Sequence, residues 1–173
     1  VLTQFYIRGV GNYGTNAFAE AAVATSFNGV NLSRPTTLDA MYFDLERVEL
    51  LKGPQGTLYG RNATGGAVNI IAKRPTRDFE GSTGVEFGNY SARKVNAALS
   101  GPVSDAWSLR GAAHWVKRDG FFSDGYEDED TRAVRFTGLY EPSDTVSWLT
   151  TIDYEDIGGQ GGGGAITPYI EPG

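Results

Sequence analysis

Five stretches in the second half of this chain alternate apolar and polar residues, and that period restricts the possible folds more than any other feature. In AWSLRGAAHWVK, Trp107, Leu109, Ala113 and Trp115 fall on one side of an extended chain, while Ser108, Arg110 and His114 fall on the other. TRAVRFTGLYEP sets Val134, Phe136 and Tyr140 against Arg135 and Thr137, and TVSWLTTIDYED sets Val146, Trp148, Ile152 and Tyr154 against Ser147, Thr151, Asp153 and Glu155. TGVEFGN and RKVNAALSG repeat the pattern with Val85 and Phe87, then Val95, Ala97 and Leu99. Five strands with one apolar face each are expected. The connections differ in kind: Gly101–Asp105 and Glu141–Asp144 read as short turns, Asp119–Asp130 and Gly158–Gly164 as longer loops. Short turns at one end and long loops at the other describe an antiparallel meander with two unlike ends.

Two environments suit such a meander. A soluble sandwich would pack the aromatic face inward, whereas a membrane wall would turn it outward. Trp107 and Trp115 stand roughly 26 Å apart along a strand, at about 3.3 Å per residue. With tilt this approaches the apolar band of an outer-membrane barrel, about 25 Å tall with aromatics at its rims. No apolar run is long enough for a transmembrane helix, and a mean hydropathy of -0.30 does not oppose spanning strands, whose alternation keeps the average low. A chain with 24 glycines and one Met among 173 residues suits turn-rich β-structure rather than a helical globule.

Residues 1–78 are organised differently. QFYIRGVG, AVATSFNGVNL, RVELLKGP and GAVNIIAKRP are short extended pieces separated by Gly, Asn and Pro. Val23–Phe27 leads into Asn28-Gly29, a pair that tolerates positive φ at both positions and signals a hairpin. Leu38–Phe43, with Thr37 as cap, allows a short helix before a strand over Arg47–Leu51. A small mixed sheet with one or two helical turns is expected. Charge divides the chain at the same place: residues 1–78 hold eight Lys/Arg and six Asp/Glu, residues 79–173 seven and fifteen. Neither part has the dense basic patch of a nucleic-acid binder. The opening VLTQFYIRG has no starting Met and no signal-peptide pattern, so both ends read as cut and any export signal is expected outside this sequence.

Several motifs that would carry chemistry fail on their spacing. Gly9-Val-Gly-Asn-Tyr-Gly14 matches G-x-G-x-x-G, but AFAEAAVATSFNG is too short for the helix that must follow, and Asp39 stands too far along. Gly60-Arg-Asn-Ala-Thr-Gly65 has the glycines of a phosphate loop, yet Gly66 occupies the place of its Lys and Ala67 that of its Ser/Thr. A nucleotide-dependent enzyme is therefore disfavoured. The absence of Cys and the single His114 leave no zinc site, and the acidic run Asp119–Asp130 lacks EF-hand order. That run reads as a solvated loop.

The stretch FDLERVELLKGPQGTLYGRNATGGAVNIIAKRP resembles the plug-domain signature of TonB-dependent outer-membrane receptors. IRGVG and FNGV resemble two further plug motifs, and FEGSTGVEFGNYSARKVNAALSGPVSD resembles the first hairpin of the family's barrel, so the likeness runs in order over residues 4–118. It implies an α+β plug, a small mixed sheet with short helices, over residues 1–78, truncated at its N-terminus. The first five or so antiparallel strands of a transmembrane β-barrel would follow over residues 79–173, truncated at their C-terminus. In this family a plug fills a barrel of 22 strands.

The resemblance also implies the function. The parent would import a scarce, bulky nutrient across the outer membrane of a Gram-negative bacterium, a ferric siderophore first, otherwise cobalamin or an oligosaccharide. TonB would supply the energy through a segment that precedes the plug and is absent here. Outer-membrane lipid and lipopolysaccharide are implied as surroundings; no covalent chemistry, cofactor, resident metal or nucleic acid is. The alternative is a passive porin-like or structural barrel. Candidate plug–barrel contacts are Arg8, Glu46, Arg47, Lys52 and Arg61. Lys52 stands where many members carry Arg and cannot form a bidentate fork, and Asn28 replaces a common Asp. Arg110, His114 and Arg135, inward on their strands, are candidates to grip the plug from the other side. Asn12, Tyr13 and Asn16 are expected to touch substrate. Gly9, Gly29, Gly53, Gly56, Gly60, Gly65 and Gly66 are expected to supply positive φ or close backbone approach.

Overall fold

The computed structural model describes residues 5–11, 22–32, 41–54, 56, 63–123 and 125–160. Backbone pairing divides them into two sheets. Asn28 and Gly29 both take positive φ, 49° and 83°, and reverse the chain so that β1 (Val23–Phe27) pairs antiparallel with β2 (Val30–Leu32). Asn28 also stitches the turn to β4 (Gly66–Ala72): its N–H donates to the Ile70 carbonyl at 2.9 Å, and its Oδ1 accepts from the Ala72 N–H at 2.9 Å. β4 runs parallel to β1 and antiparallel to β3 (Leu45–Lys52), giving the order β2-β1-β4-β3.

Burial explains why GAVNIIA is a continuous apolar run rather than an alternating one. β4 is a central strand covered on both faces. Ile7, Val23, Phe27, Val68, Ile70 and Ala72 form a core on one side, and Ala24, Ala63 and Ala67 pack on the other against Leu51. The stretch FYIRGVG closes on itself through an Ile7–Val10 bridge. Met41–Asp44 is turn and bend, not helix, so the short helix expected over Leu38–Phe43 does not include its last three residues; residues 37–40 lie outside the described residues. The physical reason is that this segment's carbonyls are committed elsewhere, as described below.

Gly66 shows why the glycine-rich stretch is what it is. Its φ of 145° is reserved for glycine, and a Cβ there would lie 2.2 Å from the Leu51 carbonyl oxygen and 2.7 Å from Ile7 Cδ1. β3 and β4 can close only because that atom is missing. Gly9 and Gly53 also have positive φ, and a Cβ on Gly65 would press on Val10 at 3.0 Å. Gly56 departs from expectation: it has neither a positive φ nor any atom within 4 Å of a Cβ position. Gly60 lies outside the described residues.

The second sheet contains the five expected strands, each paired antiparallel with the next: β5 (Glu80–Phe87), β6 (Arg93–Pro102), β7 (Trp107–Arg118), β8 (Glu129–Ser143) and β9 (Val146–Gly158). β6 and β8 run further than expected into the short turns, because Pro102 still opposes Ser108 and Ser143 opposes Val146 across a bulge. Its faces are inverted relative to a soluble sheet. Trp107, Leu109, Phe136, Trp148 and Ile152 are exposed, Trp148 at 68%, whereas Ser108, Arg110, Arg135 and Thr137 are buried, Arg135 at 1%. The aromatic side chains do not pack inward. Among the described residues no helix is long and apolar enough to cross a membrane.

The segment joining the sheets is fastened to the short-turn end of the larger one. Thr76 donates its backbone N–H and its hydroxyl to Ser100 Oγ, each at 2.9 Å, and Arg77 donates to the Asp105 carbonyl at 2.5 Å and to Glu141 Oε2 at 2.9 Å. The closure at Gly66 gives a direct test of the small sheet. Gly66→Ala is expected to destabilise it by about 2–3 kcal/mol, through backbone strain and the clash with Leu51. Amide exchange along the β3–β4 ladder should accelerate accordingly while the β6–β8 ladder is unchanged.

Candidate functional site

Among the described residues, the buried polar face of the large sheet meets the small sheet chiefly at Met41–Leu45, with Phe27 of β1 beside it. Arg110 on β7 and Arg135 on β8 arrive there because each occupies an inward position, Arg110 opposite Thr137 and Arg135 opposite Ala112. Arg110 forms a bidentate fork with Asp44, Nε to Oδ2 at 2.7 Å and Nη2 to Oδ1 at 2.6 Å, and its Nη1 reaches Glu80 Oε1 at 2.6 Å. The Arg110 and Asp44 side chains are only 4% and 7% exposed, so this pair is held out of water, while Glu80 stays half exposed. Planar recognition of this kind is specific to guanidinium.

Arg135 is gripped differently. Its Nε donates to Asp153 Oδ1 on β9 at 2.6 Å, its Nη1 to the Phe43 carbonyl at 2.9 Å and its Nη2 to the Met41 carbonyl at 3.2 Å. The same guanidinium lies 4.8 Å from the Phe27 ring centre and 4.6 Å from that of Phe43, within cation–π range. Phe43 is buried with Ala112 and Ala133 and also stacks on His114 at 5.6 Å, while His114 Nδ1 shares a 2.7 Å hydrogen bond with Asn96 Oδ1. The small residues on β7 and β8 leave the room that the ring fills. The chain leaves this segment with Asp44 at a φ of 51°, and the Asp44 carbonyl accepts from the Lys73 N–H at 3.0 Å. One short segment thus holds a carboxylate, two carbonyls and an aromatic ring against two buried cations.

Of the contacts expected from sequence, Arg110, Arg135 and His114 meet at this segment, whereas the candidates on the small sheet lie elsewhere. Arg47 pairs with Glu46 and, at 2.8 Å, with Glu49 on its own strand, all three close to half exposed. The Glu49 carboxyl is held below the usual range by the hydrogen bond from Arg47 and then by Asn69, and Arg47 is raised mainly by Glu49. A lowered carboxyl stabilises the folded state at neutral pH, and that contribution is lost as pH falls through the lowered value. Solvent screening of these half-exposed side chains keeps it slight. Asn69 continues the ladder, receiving a 2.7 Å bond from Ser26. Arg8 sits at a φ of 53° in the Ile7–Val10 turn, and Lys52 is exposed at the end of β3; among the described residues no ion pair joins either to the large sheet. Arg61, Asn12, Tyr13 and Asn16 lie outside the described residues. Asp44 and Phe43 carry the contact that sequence reasoning assigned to their neighbours. The available signal was the placing of Arg110 and Arg135 on otherwise small or apolar strands, two guanidinium groups that require an anionic or carbonyl-bearing cover. Among the described residues no cluster of acidic or His side chains suits a metal ion.

Removing Asp44 leaves Arg110 buried with Glu80 alone. Asp44→Ala is expected to weaken docking by about 3 kcal/mol, the lower end for breaking a buried pair, since half-exposed Glu80 remains. Amide exchange at Phe43–Leu45 in the full-length protein should accelerate roughly a hundredfold. Glu46→Ala should leave it unchanged.

Comparison with known proteins agrees with this architecture. Residues 2–67 match the family model described as the TonB-dependent Receptor Plug Domain. The chain is 32% identical over 170 residues to the ferric enterobactin receptor PirA of Pseudomonas aeruginosa, which covers 90% of this chain and 22% of that protein. It is 29% identical over 163 residues to the ferripyoverdine receptor of the same species, covering 92% and 19%. The solved pyoverdine outer membrane receptor FpvA of P. aeruginosa, bound to pyoverdine, superposes with a TM-score of 0.72 at 21% identity, over 89% of this chain and 22% of that one. The chain thus spans about a fifth of the length of these relatives. A plug-domain match that continues through similarity to full receptors, on a fold shared with one of them, places this chain in the TonB-dependent receptor family.

Proposed function

We propose that the parent protein is an outer-membrane receptor that imports a ferric siderophore by TonB-driven displacement of a plug. In this reading residues 1–78 belong to the plug, and residues 79–173 supply the first five strands of the barrel wall. The observation that carries it is the inverted large sheet: an exposed apolar, aromatic face backs onto a buried polar face that grips the small sheet. Lipid on one side and a plug on the other satisfy both faces at once. The names of the relatives, receptors for ferric enterobactin and ferripyoverdine, support the substrate class. The grip suits displacement. It consists of a charge fork, two carbonyl bonds and two rings rather than a wide apolar contact, so water entering the seam competes directly with it. A passive porin would leave the polar face lining an open channel, whereas here a domain covers it.

Three experiments on the full-length protein test this reading. Phe43→Cys with Ala133→Cys, bridged by a cleavable bifunctional thiol reagent that spans the space the ring vacates, should abolish uptake of radiolabelled ferric siderophore, and cleaving the bridge should restore it. Uptake should also vanish when TonB or the proton-motive force is removed, and persistence under those conditions would favour the passive alternative. For the wall, Phe136→Arg, in the middle of the exposed apolar face, should cost about 2–4 kcal/mol of membrane insertion. It would show as loss of the heat-modifiable band on gels; the same change on a water-facing sheet would be tolerated.

A further inference from the structure

The exposed face of the large sheet changes character at the end away from the short turns. Directly paired residues share a face, so the register lays out rows across the strands. Trp107, Tyr140 and Trp148 form the row at the short-turn end, and Ala113, Val134 and Tyr154 a row farther along. Beyond them the rows become charged. Arg132 lies between Trp115 and Asp156, and Lys117 lies between Arg93 and Asp130, with Phe87 beside Arg93. Three cations from three adjacent strands therefore stand together against the end of the apolar surface. Arg132 and Lys117 are 64% and 58% exposed.

Their carboxylate neighbours hold them loosely. Lys117 and Asp130 are 3.9 Å apart and Arg132 and Asp130 3.8 Å, both beyond hydrogen-bond length, against 2.6 Å for the pairs on the buried face. Arg93 has no ion pair among the described residues. Most N–H donors of the two guanidinium groups are thus open to a ligand. The limit of the apolar surface also slants, from the Arg93–Lys117 row on β6 and β7 to the Arg132–Asp156 row on β8 and β9. Strands tilted in a membrane require such a slant if the limit is to lie in one plane.

We propose that Arg93, Lys117 and Arg132 form a phosphate-binding strip for a phosphorylated membrane lipid, whose acyl chains run down the adjoining apolar rows at Val95, Trp115 and Val134. The proposal rests on reading the large sheet as a membrane wall. Charge complementarity selects this occupant: guanidinium and ammonium groups at an apolar boundary fit a ligand with phosphate at one end and hydrocarbon at the other. A free phosphate ion would use only the first half of that surface.

The test uses the full-length receptor and bisphosphorylated lipid A in phosphatidylcholine vesicles. Arg93→Gln with Lys117→Gln should reduce retained lipid A about tenfold. The control pair, Lys94→Gln with Arg118→Gln, removes the same charges from the adjacent positions on the opposite face, and should change retention less than twofold. Dephosphorylated lipid A should be retained no better than by the outer variant, and inorganic phosphate at 10 mM or so should not compete, since it lacks the acyl contribution. Equal loss in both pairs, unchanged retention in the outer pair, or displacement by inorganic phosphate overturns the strip. Heat-modifiable mobility and energised uptake are followed in every variant. Their presence without lipid discrimination sinks the strip alone; their absence in the wild type sinks the receptor reading beneath it.

Discussion

Two guanidinium groups sit where the strand period of the large sheet puts them, on its inner face, and they cannot remain there uncovered. An unpaired buried cation costs several kcal/mol. Arg110 is answered by the Asp44 fork, and Arg135 by Asp153 together with the Met41 and Phe43 carbonyls. This need explains the least regular part of the small sheet. Met41–Asp44 stays out of a helix because its carbonyls point at Arg135, and it leads straight into β3, so the position of the whole four-stranded sheet is referred to those two cations.

The large sheet presents opposite chemistry to two surroundings. Its exposed side is aromatic and aliphatic from Trp107 to Tyr154, and its covered side is Ser, Thr, Arg and small residues. Small side chains matter as much as the charged ones: Ala112 and Ala133 create the recess for Phe43, and without that recess the ring could not sit beside both Arg135 and His114. Charge also differs between the two sides. The inner cations are bound tightly by carboxylates at 2.6 Å, whereas the outer ones are not.

Much of this was legible in the residues. The alternation in AWSLRGAAHWVK and its companions determines five strands and which residues share a face, and Asn28-Gly29 marks the hairpin; both depend on local geometry. Which face is buried is not local. It follows from what surrounds the sheet, and aromatic spacing could only favour one answer. The docking residues were legible on one side only. Arg110 and Arg135 stand out on their strands, but Asp44 and Phe43 look no different from Glu46 and Arg47 in FDLERVEL. They are separated by the turn at Asp44, which aims two residues at the large sheet and hands the next charges to an intrastrand ladder. The tolerance of Gly56 was illegible for the same reason: a glycine's need depends on what its missing Cβ would meet.

The fastened linker has a consequence for reversibility. Thr76 and Arg77 are tied to Ser100, Asp105 and Glu141, contacts that share no group with the Asp44 fork or the Arg135 carbonyl bonds. Release at the fork would leave this tether in place. The detached sheet would then explore a small volume around a fixed pivot, at an effective concentration on the order of millimolar. Redocking would be an intramolecular search, rapid and insensitive to how many copies surround it, so a released sheet would return to its own partner rather than exchange with another.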